Sequence, residues 1–244
     1  MRAKTLVAQT RIELLLTMRR AESLLVTVAI PIGVLVFFAK VDAANTSLKD
    51  PIDFLVPGVL ALAVMSTAMV SLGIATGYER RYGVLKRLGS TPLSRPGLIA
   101  AKTLNVLGLE VAQAAVIVMA GLALGWNAGI TRVIPAIALL LLGTVAFAGV
   151  GMLLAGTLRA EVNLAVANAL FLGLLFLGGM AYPLDRLPRA LEVMARMLPA
   201  APLAESVRDV LTPGAPFPLG SVLVLTAWVV AAPLAAARWF RWEE

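Results

Sequence analysis

Six stretches of the chain are apolar for about the length a helix needs to cross a lipid bilayer: 23–39, 54–76, 98–124, 133–158, 162–182 and 219–237. A hydrocarbon core of about 30 Å takes about 20 helical residues, and a helix satisfies its own peptide groups there without water. Little chain is left over for anything else. With 60% hydrophobic and 14% charged residues and a mean hydropathy of +0.90, the chain falls well short of the roughly one-quarter charged residues of a water-facing domain. The expected fold is therefore all-α: a polytopic integral membrane protein of about six transmembrane helices, with counts of five or seven left open. Residues 1–22 form a lead and 23–244 a single six-span membrane domain.

Lys and Arg decide the orientation. With six spans both termini share a side, and that side carries Arg2, Lys4, Arg11, Arg19, Arg20, Arg80, Arg81, Lys86, Arg87, Arg95, Lys102, Arg159, Arg238 and Arg241. The other side carries Lys40, Lys49, Arg132, Arg186, Arg189, Arg196 and Arg208, four of them in one long segment after the fifth span. This two-to-one bias predicts cytoplasmic N- and C-termini. The lead sets Leu6, Ile12, Leu15 and Leu16 among Lys4, Arg11, Glu13, Arg19 and Arg20, which suits a helix lying in the headgroup plane or a solvated topogenic tail. The stretch 23–39 follows this lead without a clear small-residue cleavage site, so it is expected to stay as a span.

The chain has no cysteine and no histidine. That excludes disulfides, thiolate or imidazole metal sites, and every hydrolytic dyad or triad with an imidazole base. The net charge of +7 is accounted for by the loops of one side, and no polar domain gathers it into a nucleic-acid footprint. No nucleic-acid partner is expected; the lipid bilayer is.

One loop differs from the rest. Between the second and third spans, 78–97 reads YERRYGVLKRLGSTPLSRPG. Glu79, Arg80 and Arg81 leave the membrane, Gly83 permits a tight turn, and a short helix follows with Leu85 and Leu88 on one face and Lys86 and Arg87 on another. Thr91-Pro92 stops it. Such a helix suits docking into a groove on a soluble partner, although an ordinary basic anchor loop has the same composition.

The order of these pieces resembles a known family. Phe54-Leu55-Val56-Pro57-Gly58 opens the second span; Glu79-Arg80-Arg81-Tyr82-Gly83, Leu85, Leu88 and Thr91-Pro92-Leu93-Ser94-Arg95 follow. The pattern is similar to the permease family of type-2 ATP-binding-cassette exporters (ABC-2), with its Pro-Gly opening, Glu-Arg-x-x-Gly turn and Thr-Pro-Leu-Ser ending. Farther on, Gly178-Gly179-Met180-Ala181-Tyr182-Pro183-Leu184, Leu187-Pro188 and Leu198-Pro199 resemble the family's segment of short external helices that dip into the membrane. Here 183–217 carries Leu187, Leu191, Met194 and Leu198 at helical spacing, then Leu203, Val207, Val210 and Leu211 opposite Glu205, Arg208 and Asp209. A re-entrant pair and a surface-lying pair both fit.

The resemblance implies a permease subunit that moves a drug, antibiotic or lipid-like compound outward. It implies a second permease chain, identical or related, and two copies of an ABC ATPase subunit that bind ATP and Mg; no cofactor is expected on this chain. Glu79, Arg80, Gly83, Leu85, Leu88, Thr91 and Pro92 would couple the two. Consistent with a separate ATPase, the chain contains no Gly-x-x-x-x-Gly-Lys-Ser/Thr phosphate loop. Rich in Ala, Val, Leu, Gly and Arg, it suits a bacterium of high genomic GC content and hence a bacterial plasma membrane. A gradient-driven transporter or channel would be expected to show inverted repeats or paired intramembrane charges. A lipid-modifying membrane enzyme would want clustered acids, and the 14 acidic residues are scattered.

Inside the spans, Glu110 lies mid-way along the third with Gln113 one turn on, on the same face. A carboxyl at that depth faces the protein interior or a wet cavity. It is read either as a polar point in a substrate path or as a bond across a permease dimer; a hydrogen-bonded structural carboxyl, or one lying nearer an interface, is the alternative. Asn163, Asn168, Ser66, Thr67 and Ser71 are expected to form interhelical hydrogen bonds, and Gly143, Gly149, Gly151, Gly173, Gly178 and Gly179 to permit close packing.

Overall fold

The structure, a computed structural model, describes residues 29, 31–37, 51–89, 95–126, 132–180 and 183–241. The lead 1–22, most of the stretch 23–39, and Thr91 and Pro92 lie outside the described residues. Every regular element among the described residues is helical. Residues 31–37 are helical; the labelled elements begin with α1 (Pro51–Met65), which passes through a π-helical turn (Ser66–Ser71) into α2 (Leu72–Arg81). Then come α3 (Val84–Gly89), α4 (Arg95–Ala123), α5 (Val133–Thr157), α6 (Ala160–Leu177), a 3-10 turn (Leu184–Arg186), α7 (Arg189–Met197), α8 (Ala200–Leu211) and α9 (Leu219–Trp239).

Five of these are long and apolar enough to cross a membrane: Pro51–Arg81, Gly97–Ala123, Val133–Thr157, Ala160–Leu177 and Leu219–Trp239. They are five of the six stretches expected, and the sixth falls largely outside the described residues. Their burial separates an inner helix from an outer layer. In its most apolar window the α1–α2 span is 83% buried, against 22% for α4, 22% for α6 and 17% for α9. The outer helices leave Val111, Phe176 and Leu223 exposed, as helices solvated by lipid do.

Successive spans run in opposite directions, so the C-terminal ends of α2, α5 and α9 meet the N-terminal ends of α4 and α6 at one end of the bundle, here the basic end. There the Arg241 N–H donates to the Gly156 carbonyl at 3.1 Å, and Phe240 is buried against Gly156.

At the opposite end α7 and α8 divide the two readings of 183–217 between them. On α7, Leu191, Met194 and Met197 are exposed. On α8, Leu203 and Val207 are wholly buried, and the helix packs between α1, α5 and α9, with Leu203 seated on Gly143. Arg208 closes this end. Its guanidinium lies 3.7 Å from the Phe54 ring centroid and donates to the Gly179 carbonyl at 2.8 Å and the Phe54 carbonyl at 3.3 Å. Burial pulls its pKa down to about 10, which leaves it cationic at neutral pH.

The Pro-Gly opening has a physical reason here. A Cβ on Gly58 would land on the Met180 carbonyl oxygen, so the start of the inner span and the Gly178-Gly179-Met180 corner touch backbone to backbone, and only glycine fits between them.

Candidate functional site

Three consecutive charged residues end α2. Successive positions on a helix point about 100° apart, so each meets a different neighbour. Glu79 pairs with Lys102 of α4, Oε2 to Nζ 2.7 Å, with the lysine side chain 2% exposed. Arg80, itself buried, donates through Nη2 to the Leu158 carbonyl that ends α5, where the helix dipole favours a cation. Arg81 pairs with Glu161 in the first turn of α6, and both are exposed. One turn of the inner helix thus ties together the basic ends of α4, α5 and α6.

The chain then reverses. The Tyr82 N–H donates to the Tyr78 carbonyl at 2.9 Å and the Gly83 N–H to the Arg80 carbonyl at 3.0 Å. Gly83 has φ +71°, a left-handed conformation that costs other residues roughly 1–2 kcal/mol. The Gly83 carbonyl accepts from the Arg87 N–H at 3.3 Å and starts α3.

On α3 the structure corrects one expectation. Leu85 does not offer itself to a partner's groove: it is 0% exposed and belongs to the hydrophobic core. Burying its side chain, at roughly 1.5–3 kcal/mol, pins the short helix to the membrane domain. The surface turned outward is Tyr82, 71% exposed, with Val84, Lys86 and Arg87. Tyr82 stacks on Tyr78, ring centroids 6.2 Å apart. Leu88 lies within α3.

Of the residues the sequence singles out, Glu79, Arg80, Gly83 and Leu85 lie within seven residues of chain, at the end of α2, the reversal and the start of α3. Glu110 and Gln113 sit elsewhere, deep in the bundle. Gln113 Oε1 accepts from the Thr67 hydroxyl at 2.8 Å across α4 and the π turn. Glu110 accepts through Oε2 from the Thr144 hydroxyl of α5. Asn163 Nδ2 donates to the Gly73 carbonyl at 2.8 Å, an interhelical bond as expected, whereas Asn168 bonds back to Leu164 of its own helix at 2.8 Å. Gly151 packs on the inner helix so closely that a Cβ would stand 2.6 Å from the Met69 carbonyl oxygen. Gly173 has nothing within 4 Å, so its expected packing role is not met.

Sequence reasoning passes over Lys102, Leu158 and Glu161. For Lys102 a signal exists, because it shares an apolar stretch with Glu110, and an ionisable residue within a span marks a site by default. For Leu158 there is none: only a backbone carbonyl is used.

Long apolar helices around one buried span, with charged residues gathered at the two ends and at a few hydrogen-bonded positions between them, define a multi-pass membrane protein. The family model described as ABC-2 type transporter matches residues 5–212. The chain belongs to the ABC-2 type transporter family, as the permease subunit of an ATP-binding-cassette transporter. No curated protein matches it.

Proposed function

We propose that this permease exports a hydrophobic or amphipathic compound, of drug, antibiotic or lipid-like character, across a bacterial plasma membrane. Two copies of an ABC ATPase subunit would bind and hydrolyse ATP with Mg on the cytoplasmic side, beneath two permease chains, identical or related. The observation that carries this reading is the clamp of Glu79, Arg80 and Arg81 immediately before the Gly83 turn. A push on α3 reaches the permease body through Leu85, and the clamp passes it to α4, α5 and α6 together. Packed elements that move as one switch between discrete arrangements rather than deforming gradually.

In this mechanism Tyr82, Val84, Lys86 and Arg87 face the ATPase, while Glu79, Arg80, Gly83 and Leu85 transmit, with Leu88, Thr91 and Pro92 completing the segment. The test is ATP-driven uptake of a hydrophobic dye into inside-out vesicles containing the permease and its ATPase. Reversing two charges, Lys86→Glu with Arg87→Glu, is expected to cut uptake about tenfold, because charged groups across an interface govern partner choice and encounter. The permease should reach the membrane in wild-type amounts. Unchanged uptake in that variant, or ATP-independent uptake by the permease alone, would refute the coupling reading.

A further inference from the structure

We propose that a crevice between α1, α4 and α5 is a binding site for a lipid-soluble amine, with Glu110 as its polar anchor. The inference deepens the exporter reading and rests on it for the crevice being part of the cargo route.

Glu110 stands thirteen residues from either end of the span Gly97–Ala123, at mid-membrane depth, and is 8% exposed. Its Oε2 is engaged by Thr144. Its Oε1 is buried and has no hydrogen-bond partner among the described residues. The carboxyl borders a cavity of about 200 Å³ whose walls, Leu60, Val64, Leu107 and Leu140 among them, are apolar. That volume exceeds the roughly 150 Å³ apolar cavity that stays dry and accepts a benzene ring. Water is a poor partner for Oε1, because a buried water needs two to four polar contacts and this cavity offers one carboxyl.

What the site lacks is a hydrogen-bond donor carried on an apolar body. With Oε2 taken by the Thr144 hydroxyl, Oε1 of an ionised Glu110 is an acceptor, and a neutral amine that meets the protonated carboxyl can take its proton and form the same ammonium–carboxylate pair. A cationic nitrogen complements Oε1 better than a hydroxyl, since charge-assisted hydrogen bonds are roughly twice as strong as neutral ones and a carboxylate left unpaired at this depth is costly. The way in is lateral: the lining residues Val111, Ile137 and Leu141 are exposed on the outer surface of α4 and α5. A compound dissolved in the bilayer reaches the carboxyl without passing through water.

The test is equilibrium binding to the purified permease in phosphatidylcholine nanodiscs, with no ATPase and no nucleotide, read by dansyl fluorescence. Three probes share a dansyl-labelled ten-carbon chain and end in a primary amine, a hydroxyl or a methyl group. The amine probe is expected to bind wild type about tenfold more tightly than the methyl probe, a difference near 1.4 kcal/mol. Glu110→Gln, nearly isosteric, should bring the two within about threefold while leaving the methyl probe's affinity in place. Ala114→Leu, which fills the crevice, should weaken all three.

Equal binding of amine and methyl probes to wild type would mark an acyl-chain groove and overturn the proposal. So would hydroxyl binding as tight as amine binding, a preference that survives Glu110→Gln, or no binding of any probe, as expected if a second permease chain covers the crevice. Because no transport is read, failure here leaves the exporter reading standing. Loss of ATP-driven export with amine binding intact would count against that reading alone.

Discussion

At the scale of single residues, the glycines separate positions that must lack a side chain from positions that merely do. Gly58→Ala sets a methyl group on the Met180 carbonyl; overpacking of this kind costs about 1–3 kcal/mol. A lower unfolding temperature in detergent and a lower yield of monodisperse protein are the expected results. Gly173→Ala meets nothing within 4 Å, and alanine is the better helix former by about 0.5–1 kcal/mol, so the same assay should show an unchanged or higher unfolding temperature. Two glycines of one membrane protein should thus move stability in opposite directions. Gly83→Ala, at φ +71°, adds strain of about 1–2 kcal/mol at the reversal itself.

At the scale of elements, the contact between α2 and α4 rests on a lysine that has left water. Lys102→Met removes the cation from a pair at 2.7 Å and leaves Glu79 half-buried beside an apolar side chain. Breaking such a pair from one side costs about 3–5 kcal/mol, whereas removing both charges costs much less. In unfolding measurements Glu79→Gln/Lys102→Met should therefore lose less stability than the two single losses summed, and strict additivity would rule out a direct coupling.

Five of the six expected spans were legible in the sequence because lipid imposes one demand, length of apolar helix, that composition alone reveals. The location of Glu79, Arg80 and Arg81 was legible too, as a charged exit from the membrane. What each of them grips was not, since Lys102, Glu161 and the Leu158 carbonyl are brought near only by how three other helices pack. Leu85 shows the same limit. Its helical spacing marks an apolar face, but whether that face turns toward a partner or toward its own core is decided by the turn at Gly83.

At the scale of the whole molecule, the described basic end carries Arg80, Arg81, Lys86, Arg87, Lys102, Arg159, Arg238 and Arg241. Cationic loops are retained in the cytoplasm, which predicts the direction in which the protein sits. The chain has no cysteine of its own, so single-cysteine variants report without background. Gly214→Cys should react with an impermeant maleimide on intact cells, and Lys86→Cys only after the membrane is opened. The reverse pattern would turn the molecule over and remove α3 from the reach of any cytoplasmic ATPase. Legibility at this scale was uneven: charge counts speak to sidedness, but the insertion of α8 between spans depends on Gly143 admitting Leu203, a fit no linear pattern announces.

The π-helical turn at Ser66–Ser71 gives the inner helix slack. There the Leu72 N–H reaches back five residues to Thr67, so the turn holds about one residue more than α-helical winding requires. Deleting Ser66 would let the turn rewind as ordinary helix with the faces above and below still in phase, and such a variant should fold and retain the Glu79–Lys102 pair. Deleting Ala61, a few residues earlier, would rotate the buried Leu62, Ala63, Val64 and Met65 by about 100° out of their packing even where the turn rewinds to keep the clamp in phase. One dispensable position, in the most crowded helix of the protein, is what this geometry leaves.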